Sequence, residues 1–97
     1  MGHRFSLLLN LKTPAGFVVF GEFSIGDDPE AAHHLFDSLQ GDESLSDQIL
    51  YIDLMETTEP LPEKVRMKGC RLDELATNCK LITRAVFCQK NLKAYEE

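Results

Sequence analysis

The chain has 97 residues, a formal net charge of −6 at pH 7 and 43% hydrophobic residues. That length suits one domain with one core, and the apolar fraction excludes a disordered chain. No apolar run approaches the roughly 20 residues of a membrane-spanning helix. We therefore expect a single domain over residues 1–97, without a membrane partner.

The first two elements predict a β-hairpin. Residues 4–12 alternate between apolar and polar positions, as a half-buried strand does. Residues 13–16 read Thr-Pro-Ala-Gly, which is typical of a turn, and residues 17–25 form the second strand. Strict alternation predicts that one face of this second strand carries Phe17, Val19, Phe23 and Ile25. The residues that fall off the predicted core faces indicate a second apolar surface: Leu8, Val18 and Phe20.

Residues 29–40 predict a short acidic helix. Asp28 is a favourable N-cap, Pro29 suits the first helical position, and Glu30 complements the helix dipole. The apolar residues recur at helical spacing: Ala32, Leu35, Phe36 and Leu39. Gly41 is predicted to end the helix.

Two further strands follow a polar loop. Residues 48–56 are apolar at both alternating sets of positions, which predicts an interior strand. Residues 63–68 predict a fourth, edge strand. Alternation would place Lys64, Arg66 and Lys68 together on one face of that strand.

The C-terminal run, residues 71–95, predicts one long helix with two apolar stripes. The first stripe is predicted to pack on the core: Leu72, Leu75, Ala76, Cys79, Ile82, Val86 and Phe87. The second stripe starts later and continues where the first has ended: Leu81, Ala85, Cys88, Leu92 and Tyr95. We predict that this second stripe is an interface with another chain.

The element order is β-β-α-β-(β)-α, with the fourth strand in parentheses. The economical arrangement is an α+β fold: a two-layer sandwich with two helices on one face of a mostly antiparallel sheet of three or four strands. The other face of the sheet is then open and needs a cover.

Charge is strongly segregated along the sequence. No Lys or Arg occurs between Lys12 and Lys64, whereas that span holds twelve acidic residues; residues 64–93 hold eight basic residues against two acids. The two regions attract within the chain, or the acidic helix 29–40 binds a basic protein partner, or copies associate head to tail. A further alternative is an anion site formed by Lys64, Arg66, Lys68 and Arg71. Nucleic acid is disfavoured, because the whole chain is acidic.

Few residues carry a chemical signature. The three cysteines lie nine residues apart, which predicts unpaired thiols in a reducing cytoplasm. His33 and His34 are adjacent, so they would point about 100° apart on a helix and would not chelate one metal. Asp53 lies between Ile52 and Leu54 and is a candidate for a polar pocket. We predict no catalytic residue, no metal and no cofactor.

These observations favour a small cytoplasmic protein-interaction module, not an enzyme, that forms a homodimer. The predicted contact is the outer face of the C-terminal helix, the open sheet face, or both. One alternative is a small enzyme or ligand-binding protein whose pocket lies between the sheet and the helices or between subunits. That pocket would use Asp53, a cysteine and the basic strand. The other is anion or nucleic-acid binding through residues 64–71.

Overall fold

The computed structural model describes residues 4–43, 48–58 and 61–89, with side chains up to residue 86 in the last segment. Four strands form one antiparallel sheet in the order β2-β1-β3-β4, and the chain order β-β-α-β-β-α confirms the predicted α+β fold. The elements are β1 Arg4–Thr13, β2 Gly16–Gly26, α1 Pro29–Ser38, β3 Leu50–Thr57, β4 Pro62–Cys70 and α2 Leu72–Gln89. Residues 90–95 of the predicted helix lie outside the described residues.

The hairpin between β1 and β2 closes through Thr13. Its hydroxyl donates to the carbonyl of Gly16 at 2.7 Å, and the N–H of Ala15 donates back to the same hydroxyl at 3.2 Å. Gly16 has a φ of 120°, which a residue with a side chain rarely adopts. The predicted turn thus fixes the antiparallel pairing of the first two strands.

Both ends of α1 are capped by charged side chains. The Asp28 carboxylate accepts the N–H of Glu30 at 3.0 Å, and Pro29 occupies the first helical position, as the sequence predicts. At the other end, the Lys68 ammonium donates to the carbonyls of Phe36 and Leu39 at 2.6 and 2.7 Å. A cation suits the negative end of the helix dipole, so this contact fastens α1 to β4.

One core lies between the helices and the sheet. Leu7, Leu9, Ile52 and Leu54 project from the inner strands, and all four are buried. They belong to one cluster with buried residues of both helices: Ala32, Phe36, Leu75 and Ile82. Full burial of a large apolar side chain stabilises a fold by about 1.5–3 kcal/mol, so this layer holds the domain together.

A bulge in β2 overturns the predicted common face of its apolar residues. Leu9 pairs with Gly21 and the next residue, Asn10, pairs with Val19, so Phe20 is an extra residue in β2. The extra residue reverses the alternation of faces. Phe23 therefore packs against the core, whereas Phe17 and Val19 are exposed on the opposite face.

A second bulge separates the cations of β4, which were predicted to share one face. Leu54 pairs with Arg66 and Met55 pairs with Lys64, so Val65 is the extra residue. Arg66 and Lys68 consequently face the helices, and Lys64 lies on the helix-free face. The prediction of one common face was wrong, because sequence alternation cannot register an inserted residue.

The buried side of α2 is centred on a polar residue. Asn78 is fully buried, whereas Leu72, predicted to be in the core, is 75% exposed. The Asn78 amide accepts the N–H of Gln40 at 2.7 Å and donates to the carbonyl of Gln40 at 2.8 Å. This pair of hydrogen bonds joins α2 to the segment that follows α1.

We predict that Asn78→Ala lowers the free energy of unfolding by about 1–3 kcal/mol, because both backbone groups of Gln40 lose their partner. Thr77→Ala is the matched control, since Thr77 is exposed on the same helix and the change also raises helix propensity. The measurement is urea unfolding followed by circular dichroism. Equal stability of the two variants would show that the Gln40 contacts are dispensable.

Candidate functional site

The face of the sheet opposite the helices, called the open face below, has a buried polar centre. Asp53 is only 5% exposed, although it lies on the face opposite the two helices that the structure describes. Its neighbours across the strands are Leu8 on β1 and Met67 on β4. The side-chain amide of Asn10 donates to Asp53 Oδ2 at 2.6 Å, and the Lys64 ammonium lies 3.6 Å from the same oxygen. Asp53, the predicted pocket residue, therefore lies beside Lys64, one of the four cations of the predicted anion site.

The second carboxylate oxygen of Asp53 finds no partner among the described residues. Oδ1 is inaccessible to solvent and makes no hydrogen bond within the part of the chain that the structure describes. Burial raises the pKa of Asp53 above its ordinary value, while the nearby Lys64 ammonium and the Asn10 amide act in the opposite direction. A buried carboxylate with one unpaired oxygen lowers the stability of a fold, so stability alone does not explain why Asp53 lies here.

The same face carries exposed apolar side chains at one end. The ring of Phe17 packs edge-on against the ring of buried Tyr51, with 5.5 Å between ring centroids. Phe17 and Val19 nevertheless remain 58% and 53% exposed, and Ile49, just before β3, is 66% exposed. Phe17, Val19 and Ile49 are called the apolar patch below. Adjacent exposed side chains of this size are typical of an interaction surface.

The four cations of the predicted anion site are dispersed. Arg66 forms ion pairs of 2.7 Å with both Asp37 and Glu43, and it lies over the ring of Phe36. These contacts lower the pKa of both carboxyls. Lys64 lies beside Asp53 on the open face. Lys68 is buried at the end of α1, and Arg71 is exposed beside Glu74. Part of the segregated charge is thus paired within the chain. The anion site stays a prediction.

The predicted helix interface is only partly in view. Leu81 is half-buried and packs against the core, and Ala85 is also half-buried. Cys88 lies in α2, with its side chain outside the described set, and Leu92 and Tyr95 lie outside the described residues. The structure therefore places the start of the second stripe at the edge of the core, and the interface itself stays a prediction.

Cys70, Cys79 and His33 are placed for packing. Burial raises the pKa of Cys70 to about 11 and also raises the pKa of Cys79, so neither thiol is converted to the nucleophilic thiolate. His33 contacts the Arg66 guanidinium at 3.3 Å and the ring of Phe5 edge-on. Within residues 4–43, 48–58 and 61–89, no three potential ligand side chains are grouped to hold a metal ion. None of the helices described there is long and apolar enough to cross a membrane.

Asn10 is the site residue that sequence reasoning missed. It lies on β1 between Leu9 and Leu11, where it reads as one polar position in a half-buried strand. Its role comes from its contact with Asp53, which is 43 residues away in the chain. Only the register between β1 and β3 brings the two together, so no local signal identifies the pair.

Comparisons with protein-family models, with curated proteins and with solved structures found no match to this chain. The function of this chain is therefore inferred from its own geometry and chemistry.

We predict that Asp53 makes the free energy of unfolding fall as pH rises. Because its folded-state pKa is raised, the folded protein holds this proton to a higher pH than the unfolded chain, whose reference pKa is 3.8. The contribution of Asp53 to stability must therefore fall as pH rises from the unfolded pKa through the folded one. Relative to Asp53→Asn, the parent protein should lose unfolding free energy across that rise.

Urea unfolding of both proteins at a series of pH values measures this difference. Asp37→Asn is the control of opposite sign, because Arg66 lowers the pKa of Asp37. Relative to Asp37→Asn, the parent should lose stability as pH falls through the Asp37 pKa. Stability curves of the parent and Asp53→Asn that stay parallel across the range would contradict the prediction.

Proposed function

We propose that this chain is a protein-interaction module that self-associates through the open face of its sheet. The observation that carries the proposal is the apolar patch, in which Phe17, Val19 and Ile49 are each more than half exposed. Both helices pack on the other face, so none of the elements formed by the described residues covers these side chains. A second copy would remove them from water, and such burial is the main driving force of association.

Packing of faces is better supported than pairing of strand edges. β2 is an edge strand, and an edge can in principle pair with another chain. However, register shifts at Phe20 and Ile25 interrupt the regular spacing of its backbone groups. Bulges of this kind protect sheet edges from strand addition, so the side chains of the face are the better contact.

The size of the face sets the expected affinity. Four strands spaced about 4.8 Å apart, each with about eight residues at 3.3 Å, span roughly 19 by 26 Å. Two such faces bury on the order of 1,000 Å², which is at the lower end for specific complexes. We therefore expect a weak dimer, with a dissociation constant on the order of micromolar.

The alternatives have narrower support. A ligand pocket at Asp53 is favoured by its unpaired Oδ1. That oxygen is covered, however, so a ligand would have to displace neighbouring side chains to reach it. An anion or nucleic-acid site is favoured by the sequence of β4, whose cations the structure disperses over two faces.

We predict that Val19→Asp raises the dissociation constant of the dimer about tenfold or more, because a charge would replace a buried methyl surface. The measurement is sedimentation velocity over about 1–200 μM, a range chosen for the expected affinity. Thr77→Asp is the matched control, since Thr77 is close to valine in size and is exposed within α2, on the helix side of the sheet. It should associate like the parent.

A third variant, Leu92→Asp, tests the interface predicted from the sequence of the C-terminal helix. Dissociation by Leu92→Asp together with normal association of Val19→Asp would move the contact from the sheet to the helix. A parent protein that stays monomeric over the whole range would overturn self-association altogether.

A further inference from the structure

The open face carries opposite charges at its two edges. Glu22 on β2 is exposed, and the Lys64 side chain on β4 is 49% exposed. Residue pairing places Glu22 opposite Leu8, Leu8 opposite Asp53 and Asp53 opposite Met67, which makes one row across the sheet. The Lys64 ammonium lies 3.8 Å from Met67 Sδ. The acid and the ammonium therefore occupy opposite ends of the same row.

The ammonium is held at that place by the polar centre of the face. It lies 3.6 Å from Asp53 Oδ2, and Asn10 in turn donates to that oxygen. A long lysine side chain that is already fixed loses less conformational entropy when it meets a partner. Asp53 is thus a positioning residue for Lys64, which gives the costly buried carboxylate a role.

Symmetry determines which charges meet. A two-fold axis parallel to the strands, running between β1 and β3, keeps each row aligned with itself and lays β2 of one copy across β4 of the other. Facing sheets commonly pack with strands aligned to within about 30°. An axis perpendicular to the strands would instead lay β2 on β2 and β4 on β4, which collects like charges and is disfavoured.

We infer that two copies of this chain pack open face to open face about the parallel axis, with Glu22 of each copy paired to Lys64 of the partner subunit. The inference rests on the proposed function and specifies its occupant and orientation. Each dimer contains two such ion pairs, one at each side of the interface. Their self-complementarity is the property that a two-fold interface requires.

Charge reversal tests the arrangement. Glu22→Lys and Lys64→Glu should each raise the dissociation constant about tenfold or more, because two attractive pairs become repulsive. Mixed one to one, the two variants should form a heterodimer as tight as the parent dimer to within about threefold, since both of its cross pairs are attractive again. The double variant Glu22→Lys/Lys64→Glu should also dimerise. Sedimentation velocity of each sample gives the dissociation constants.

Lys12→Glu supplies the control, because Lys12 is an exposed lysine at the end of β1 and is not in the row of Glu22. Its mixture with Glu22→Lys should not recover association. Lys64→Glu places an acid beside Asp53, so circular dichroism must show that it folds. If it does not, the exchange is repeated with all variants carrying Asp53→Asn, which removes that repulsion.

The outcomes separate the two proposals. A parent that does not dimerise removes both. A parent that dimerises and is weakened by Val19→Asp, but whose charge-reversed variants do not recover on mixing, keeps the open face and overturns the orientation. Tighter association of Glu22→Gln, which neutralises a Glu22–Glu22 repulsion, would indicate β2 lying on β2, which also overturns the orientation.

Discussion

The insertion of Phe20 in β2 and of Val65 in β4 determines what the open face presents. Phe20 in β2 and Val65 in β4 have no counterpart on the neighbouring strand, so the alternation of side chains reverses at each of them. Without the first insertion, Phe17 and Val19 would face the helices. Without the second, Lys64 would join Arg66 beneath α1. The exposed apolar side chains and the exposed ammonium of this face therefore have a common structural cause.

The polar groups between the helices and β4, by contrast, find their hydrogen-bond and ion-pair partners within the chain. Lys68 supplies donors to the last carbonyls of α1, and Asn78 pairs with both backbone groups of Gln40. Arg66 neutralises Asp37 and Glu43 across the α1–β4 contact. Buried polar groups that are fully paired specify one arrangement of the helices. Among the described residues, Asp53 departs from this pattern, because one of its oxygens finds no partner there, and it lies on the open face.

The sequence predicted what local chemistry determines. Turn residues gave the hairpin, Asp28 and Pro29 gave the start of α1, and alternation gave β3 as an inner strand. The bulges could not be predicted, because an extra residue is defined only against the strand beside it. Asn78 was missed because hydrophobic periodicity assigns a polar residue to the outside. The contact of Asn10 with Asp53 depends on register across 43 residues, which no local pattern contains.

The segregation of charge along the sequence looked like a choice between attraction within one chain and attraction between chains. Because of the bulge at Val65, the cations of β4 can attract acids of their own chain on one face and acids of another chain on the other face. Arg66 and Lys68 face inward, where they neutralise the acidic helix and cap its last turn. Lys64 faces outward, where Asp53 holds it without fully screening it. A strand whose cations all shared one face could serve either the fold or an interface, whereas this strand divides its charge between the two.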